Sequence, residues 1–307
     1  MNRVLVIGAA GMIGRKLVAR LRRDGAGEPL QQDVVPFEGG IVSDLSAPGE
    51  AEKLVAQRPD LIFHLAAVVS GEAEADFEKG YRVNLDGTRY LFEAVRKEGY
   101  KPRIVFTSSI AVFGAPFPDA IGDEFLNAPL TSYGTQKAID ELLLSDYSRR
   151  GFFDGVGIRL PTICVRPGKP NQAASGFFSG IIREPLAGQE AVLPVPETVR
   201  HWFASPRAAI EFLVHAAKLD TAKLGTRRNL SMPGLSATVG EQIESLRRVG
   251  GEKAAKLIRR EPDQTIMRIV EGWPRNFDAR RALSLGFRPD PSFDDIIRYH
   301  LQDELGR

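Results

Sequence analysis

Two groups of residues in the first half of the chain have types and spacings that suit the same chemistry. Tyr133 and Lys137 stand four apart in Tyr133-Gly134-Thr135-Gln136-Lys137, so on a helix the phenol and the ammonium share a face. A free phenol, with a pKa of about 10, is a poor base at neutral pH. A fixed cation beside it favours the phenolate and brings it into a useful range. Thr107-Ser108-Ser109 closes a run that begins at Arg103. Hydroxyls at the carboxyl end of a parallel strand face the crevice where open α/β sheets bind ligands. Ser109 can hold a substrate oxygen there while Tyr133 removes its proton; Ser108 serves equally well as a turn or helix cap.

A third group suits a dinucleotide. Gly8-Ala9-Ala10-Gly11-Met12-Ile13-Gly14 follows the β-branched run Arg3–Ile7 and opens a helix. Glycines are needed there for the tight turn, for the approach of a pyrophosphate and for helix–strand packing. The helix N-terminus offers N–H groups to the phosphates. Asp33, 19 residues after Gly14, is placed to accept from a ribose 2′-hydroxyl and to repel a 2′-phosphate, which favours NAD over NADP. Asp44-Leu45, after Ile41-Val42, reaches the adenine edge or else caps the next helix.

The elements that must position these residues alternate. Arg3–Ile7, Leu30–Val35, Leu61–Leu65, Arg103–Ser108 and Val156–Leu160 read as buried strands. Met12–Arg22, Glu50–Gln57, Tyr81–Glu98 and Tyr133–Arg150 read as the helices between them. That pattern predicts an α/β fold: a Rossmann-type, doubly wound parallel sheet with helices on both faces. Beyond Leu160, Pro161, Pro167, Pro170, Pro185, Pro194 and Pro196 break up the pattern into loops and short helices. Ser205 is a candidate N-cap for a helix running to Leu219, Thr226–Ser231 a candidate strand, and Thr238–Val249 and Glu252–Arg260 candidate helices. The expected organisation is a cofactor domain over 1–165, with 204–232 folding back onto it. A smaller, interleaved C-terminal substrate domain is expected from 166–203 and 233–307.

Composition excludes several partners. Lys+Arg 41 against Asp+Glu 39 leaves almost no net charge, which argues against nucleic acid. The pairs Arg22-Arg23, Arg149-Arg150, Arg227-Arg228 and Arg259-Arg260 read as solvated helix ends and turns. A single cysteine, Cys164, precludes an internal disulfide and fits a reducing cytoplasm. The apolar run Leu61 to Val69 falls well short of the roughly 20 residues that span a bilayer, so no membrane partner is expected. His64, His201, His215 and His300 show no metal-ligand spacing, so no metal is expected. No Gly-x-Ser-x-Gly elbow supports hydrolysis.

Taken in order, the motifs resemble the extended short-chain dehydrogenase/reductase family, which includes nucleotide-sugar epimerases and dehydratases. The resemblance rests on Gly8/Gly11/Gly14, Asp33, Asp44-Leu45, His64-Leu65-Ala66-Ala67, Val83-Asn84, Ser108-Ser109, Tyr133 with Lys137, and Arg159-Leu160-Pro161. It implies that Tyr133 is the base, that Lys137 binds the nicotinamide ribose and lowers the tyrosine pKa, and that Ser109 orients substrate. It also implies that Gly8, Gly11, Met12, Ile13, Gly14, Asp33, Asp44, Leu45 and Ala66 line an NAD site, with Asn84 in support. A homodimer through the helices Tyr81–Glu98 and Tyr133–Arg150 is implied as well.

Departures narrow the resemblance. Phe113 stands where nucleotide-sugar enzymes usually have tyrosine, and Ala204 and Arg207 stand at positions usually held by His and Asp. Pro161–Asn171, Ala174–Arg183 and the stretch ending Arg200-His201-Trp202 resemble the D-erythronate dehydrogenase branch. That branch implies NAD-dependent oxidation of a four-carbon sugar acid at C2. A carboxylate substrate needs a cation, and arginine binds one bidentately. Arg166, Lys169, Arg183 and Arg200 fall in the presumed substrate segments, with Arg183 and Arg200 favoured. Ser70 and Asn171 are candidates for substrate hydroxyls or are turn residues. The alternatives are a nucleotide-sugar epimerase or dehydratase, a uronate dehydrogenase, and a non-catalytic NAD-sensing protein.

Overall fold

Val4-Leu5-Val6-Ile7 is apolar at every position, and strand β1 (Val4–Ile7) is buried along its length. Val4 and Val6 join one core, Leu5 and Ile7 another, as a strand between two helical layers requires. The computed structural model describes residues 3–168 and 174–307. After β1 come α1 (Met12–Arg23), β2 (Leu30–Asp33), β3 (Ile41–Val42), α2 (Glu50–Val55) and β4 (Leu61–His64). The chain continues through α3 (Ser70–Ala75), α4 (Phe77–Gly80), a π-helical turn over Tyr81–Asp86, α5 (Gly87–Glu98) and β5 (Arg103–Ser109). Next are β6 (Ile121–Gly122), α6 (Ser132–Arg149), β7 (Asp154–Leu160), β8 (Thr162–Ile163), α7 (Gly176–Leu186), β9 (Ala191–Leu193) and β10 (Arg200–Ala204). The remainder supplies α8 (Pro206–Lys218), β11 (Asn229–Ser231), β12 (Leu235–Thr238), α9 (Val239–Gly250), α10 (Glu252–Ala255) and β13 (Ile258–Arg260). It closes with α11 (Gln264–Glu271), β14 (Phe277–Asp278), α12 (Arg280–Ser284) and α13 (Phe293–Leu305).

Seven strands form one all-parallel sheet in the order β11-β7-β5-β4-β1-β2-β3. The order reverses between β1 and β4, and such a switch opens a ligand crevice at the carboxyl ends of the strands. Helices α1 and α8 cover one face, with Leu17, Leu21, Phe212 and Leu213 buried. Helices α2, α5 and α6 cover the other, with Leu54, Leu91, Phe92 and Leu144 buried. Each such side chain contributes about 1.5–3 kcal/mol of burial.

A second core gathers α7, α9 and α13 around Phe178, Phe203, Leu246 and Ile297. Its sheet has the order β12-β10-β8, with β10 parallel to β8 and antiparallel to β12. Neighbouring residues of β10 serve the two cores, Ala204 the first and Phe203 the second, so the chain crosses from one to the other through a buried strand. Phe113, Ile121, Trp202 and Phe277 form a further cluster.

Several elements differ from the sequence reading. β2 ends at Asp33, because the Asp33 carboxylate accepts from the Val35 N–H at 3.1 Å and turns the chain, leaving Val34 and Val35 exposed. The expected helix Tyr81–Glu98 begins as a π-helical turn, and Asn84 in that turn accepts from Val68 N and donates to Val68 O. The expected helix Glu252–Arg260 is split: α10 stops at Ala255, and β13 pairs in parallel with β9. Ser205 caps α8 by accepting from Ala208 N at 2.9 Å. No described helix is long and apolar enough to cross a membrane.

Candidate active site

Helix α6 carries both Tyr133 and Lys137, and its start is fixed twice. Thr131 caps it, accepting from Gly134 N at 3.0 Å. A Cβ at Gly134 would collide with the Ala111 carbonyl oxygen, so the first turn of α6 lies directly on the 3-10 turn Ile110–Val112 that follows β5. That close approach is what brings Tyr133 to Ser109. Ser109 Oγ accepts from Ala111 N at 3.1 Å, and its hydroxyl lies within hydrogen-bonding reach of the Tyr133 phenol. Tyr133 is partly buried.

Lys137 is 1% exposed. Its Nζ lies 4.6 Å from the centre of the Phe106 ring and 5.9 Å from that of Tyr133. Burial lowers its pKa to about 8, against the pull of Asp140 and Glu141. Loss of water raises the Tyr133 phenol above its ordinary value, opposed by the Arg166 guanidinium and the Ser109 hydroxyl. The protein cation that opposes this rise is Arg166, while the Lys137 ammonium lies over the Phe106 ring.

On one flank of α6 both oxygens of Glu141 are bonded. Glu141 Oε1 accepts from Ser108 Oγ at 2.6 Å and from Arg159 Nε at 2.8 Å. Its Oε2 accepts from Arg159 Nη2 at 2.7 Å and from Asn127 Nδ2 at 3.0 Å. Ser108 and Arg159 thus tie β5 and β7 to α6, and only Ser109 of the serine pair faces Tyr133. The other flank holds Asp140, Thr88 and His64, none more than 1% exposed. Asn84 reaches α6 from the same side, donating to Gln136 Oε1 at 2.7 Å. Sequence reasoning did not single out Asp140 or Glu141, although their positions three and four residues after Lys137 put them within one turn of it.

The dinucleotide side fits its cofactor. Gly8 has φ of +86°, and a Cβ on it would lie 2.7 Å from Ala66 N, so the turn after β1 packs on the chain just past β4. A Cβ at Gly14 would strike the Gly8 carbonyl oxygen, which makes glycine obligatory where α1 crosses β1. Gly11 caps α1 without a side-chain acceptor, so Met12 and Ile13 open the helix with N–H groups that a pyrophosphate suits. The Asp33 carboxylate stands at the end of β2, oriented by the Ala10 N–H at 2.9 Å. Asp44 accepts from Ser46 N at 2.9 Å and pairs with Arg82 at 2.9 Å. It does not cap α2, whose N-cap is Gly49. The Leu45 side chain is buried in the core under α2 and α5.

On the substrate side, the guanidinium whose charge reaches the Tyr133 phenol is that of Arg166. Its backbone is held by α7: Arg166 N donates to Ser179 Oγ at 3.0 Å, and Arg183 Nη1 donates to Arg166 O at 2.8 Å. The favoured pair of arginines is therefore engaged elsewhere. Arg183 holds this loop and Glu184, while Arg200 donates to Ser236 O at 2.9 Å and pairs with Glu241 at 3.3 Å. Ser70 opens α3. Lys169 and Asn171 lie outside the described residues. Ala204 is buried in β10, and Arg207 is turned to Asp303 and Tyr299 of the C-terminal helix. His215 is structural, in hydrogen-bonding distance of Leu285 O at 2.8 Å. Among the described residues no group of three or more His, Cys, Asp or Glu could hold a metal.

A doubly wound sheet, a dinucleotide turn at its switch point and a Ser/Tyr/Lys set at the same crevice define an NAD-dependent oxidoreductase. Residues 4–220 match the NAD dependent epimerase/dehydratase family, and the chain belongs to it. It is 47% identical to a D-erythronate dehydrogenase of Cupriavidus necator, with 98% of each chain covered. It is 39% identical to a D-erythronate dehydrogenase of Haemophilus influenzae, over 99% of this chain and 100% of that one. A crystal structure described as the nucleoside-diphosphate-sugar epimerase from Agrobacterium tumefaciens superposes with a TM-score of 0.94 at 67% identity, covering 99% of this chain and 95% of that one.

Proposed function

We propose that the protein oxidises a four-carbon sugar acid of the D-erythronate type at C2, giving the 2-oxo acid and NADH. The observation that carries this reading is that the Arg166 guanidinium lies within electrostatic reach of the Tyr133 phenol. A guanidinium there suits recognition of a substrate carboxylate near the proton acceptor, and both named D-erythronate dehydrogenases align over nearly the whole chain. Tyr133 takes the proton of the C2 hydroxyl, Ser109 holds the developing carbonyl oxygen, and Lys137 holds the cofactor. Arg166, rather than Arg183 or Arg200, binds the carboxylate. NAD⁺, when bound, accepts the hydride and adds a positive charge that favours the phenolate. Gly8, Gly11, Met12, Ile13, Gly14, Asp33 and Ala66 form its site.

In the same reading residues 1–165 and 204–232 make the cofactor domain, and 166–203 with 233–307 the substrate domain. The protein acts in the cytoplasm as a homodimer through α5 and α6, where Leu142 is 70% exposed in the middle of a helix. Light scattering at the mass of one chain would refute the dimer.

A second reading, epimerisation of a nucleotide-linked sugar, is favoured by the description of the 67%-identical structure. The two differ in the fate of the hydride. A panel of C3–C6 aldonates and uronates with NAD⁺ should give sustained NADH on D-erythronate. NADH from none of the acids, with interconversion of a nucleotide sugar, would replace the first reading by the second.

A further inference from the structure

Asp140 has no part in the reaction as described, yet it is buried beside the residues that do. It sits on α6 one turn from Lys137 and is 0% exposed, and among the described residues neither carboxylate oxygen has a well-formed hydrogen bond. An ionised carboxylate in such a place is retained only with a cation close by. The cation one turn away on α6 is the buried Lys137; burial pushes the Asp140 carboxyl well above the ordinary carboxylate value, and the Lys137 charge opposes that rise. Glu141, the next residue, cannot take this role, because Ser108, Asn127 and Arg159 occupy both of its oxygens.

The surroundings of the pair contain little else that could balance it. On α6 itself stand Tyr133 and Glu141. From β4 comes His64, which burial holds down to about 3 and therefore neutral at ordinary pH. From α5 comes Thr88, whose hydroxyl helps to hold the Asp140 carboxyl down and lies 2.9 Å from His64 Nε2 while donating to Asn84 O at 2.6 Å. From β5 comes the face of Phe106, and from β7 comes Arg159, already paired with Glu141. Arg166 stands on the tyrosine side.

We propose that Asp140 is a positioning residue for the cofactor site: its buried carboxylate keeps the Lys137 ammonium charged, and so sets the upper pH limit of dinucleotide binding. The proposal rests on the assignment of Lys137 to the cofactor and is independent of which alcohol is oxidised. Without Asp140 the buried ammonium has no free counter-charge and gives up its proton at lower pH.

The test is fluorescence titration of NADH, without substrate, across the pH range. For the wild type, affinity falls as pH rises through about 8, where Lys137 loses its proton. In Asp140→Asn and in Asp140→Leu the fall comes about one pH unit lower, which makes NADH about fivefold weaker than wild type at pH 8. Asp140→Glu keeps the wild-type position, and Lys137→Met binds weakly with no such fall. Neutral variants that superpose on the wild type overturn the proposal. A Lys137→Met protein that keeps the wild-type pH dependence overturns the cofactor role of Lys137 instead, and the proposal with it. If neither neutral variant folds, Asp140→Ser serves, since it removes the charge and leaves a smaller polar side chain in the same place. Its fall must also come at lower pH than that of the wild type, and an unmoved one overturns the proposal.

Discussion

Helix α6 carries two adjacent carboxylates into the protein, and the two flanks treat them differently. On the β7 side Glu141 is saturated by Ser108, Asn127 and Arg159. On the β4 side Asp140 is buried one turn from Lys137, with no well-formed hydrogen bond among the described residues. A buried polar network that is fully satisfied fixes geometry, whereas one that is partly satisfied stays responsive to charge and protonation. The Glu141 flank holds the helix still; the Asp140 flank faces the chemistry. Breaking the first should show in stability, and breaking the second in activity.

The largest effect is expected at the responsive end. Tyr133→Phe should lower kcat by about a thousandfold or more and leave the melting temperature and NADH affinity nearly unchanged. A Tyr133→Phe protein with normal turnover would remove the distinction between the flanks. Next is Glu141→Gln, which leaves the buried Arg159 only Asp123, 3.8 Å away, as a counter-charge. A loss of about 3–5 kcal/mol is expected, or about 5–8 °C in Tm, with the KM for NAD⁺ retained in the folded protein. Lost activity at an unchanged Tm would place Glu141 with the chemistry instead. Arg166→Met should lower kcat/KM for the acid roughly 30- to 150-fold through KM, as for a charge-assisted hydrogen bond worth about 2–3 kcal/mol. NADH titration should be unaffected.

The smallest effect belongs to His64. Its folded pKa, held down to about 3 by burial and by Lys137, lies below the ordinary 6.5. Stability present above about 6.5 is therefore lost as pH falls from there towards 3, because only the unfolded chain takes up the proton. His201, held down to about 4, acts in the same direction. Urea midpoints between pH 7 and pH 5 should fall less in His64→Asn than in the wild type. Equal slopes would mean that His64 is not held neutral on this flank.

How much of this was readable beforehand follows the range of the interactions. The turn Gly8–Gly14, Asp33, and the pair Tyr133 and Lys137 are legible because strand, turn and helix signals are local and the required spacings are short. Arg166 is harder, because its approach to Tyr133 depends on a loop pinned by Ser179 and Arg183 of α7. Position in a proline-rich segment does not rank it above Arg183 or Arg200. Ile258–Arg260 is a strand because β9 offers it a partner, which no helical periodicity reveals. Asp140 is visible only as an acid on a helix until α5 supplies Thr88 and β4 supplies His64.

The central claim is net oxidation at C2 of a sugar acid, and isotope transfer tests it most directly. With D-erythronate carrying deuterium at C2, the enzyme should produce NADH that contains the label in proportion to the 2-oxo acid formed. NADH without deuterium would place the oxidation at another carbon, and no NADH at all would contradict the account.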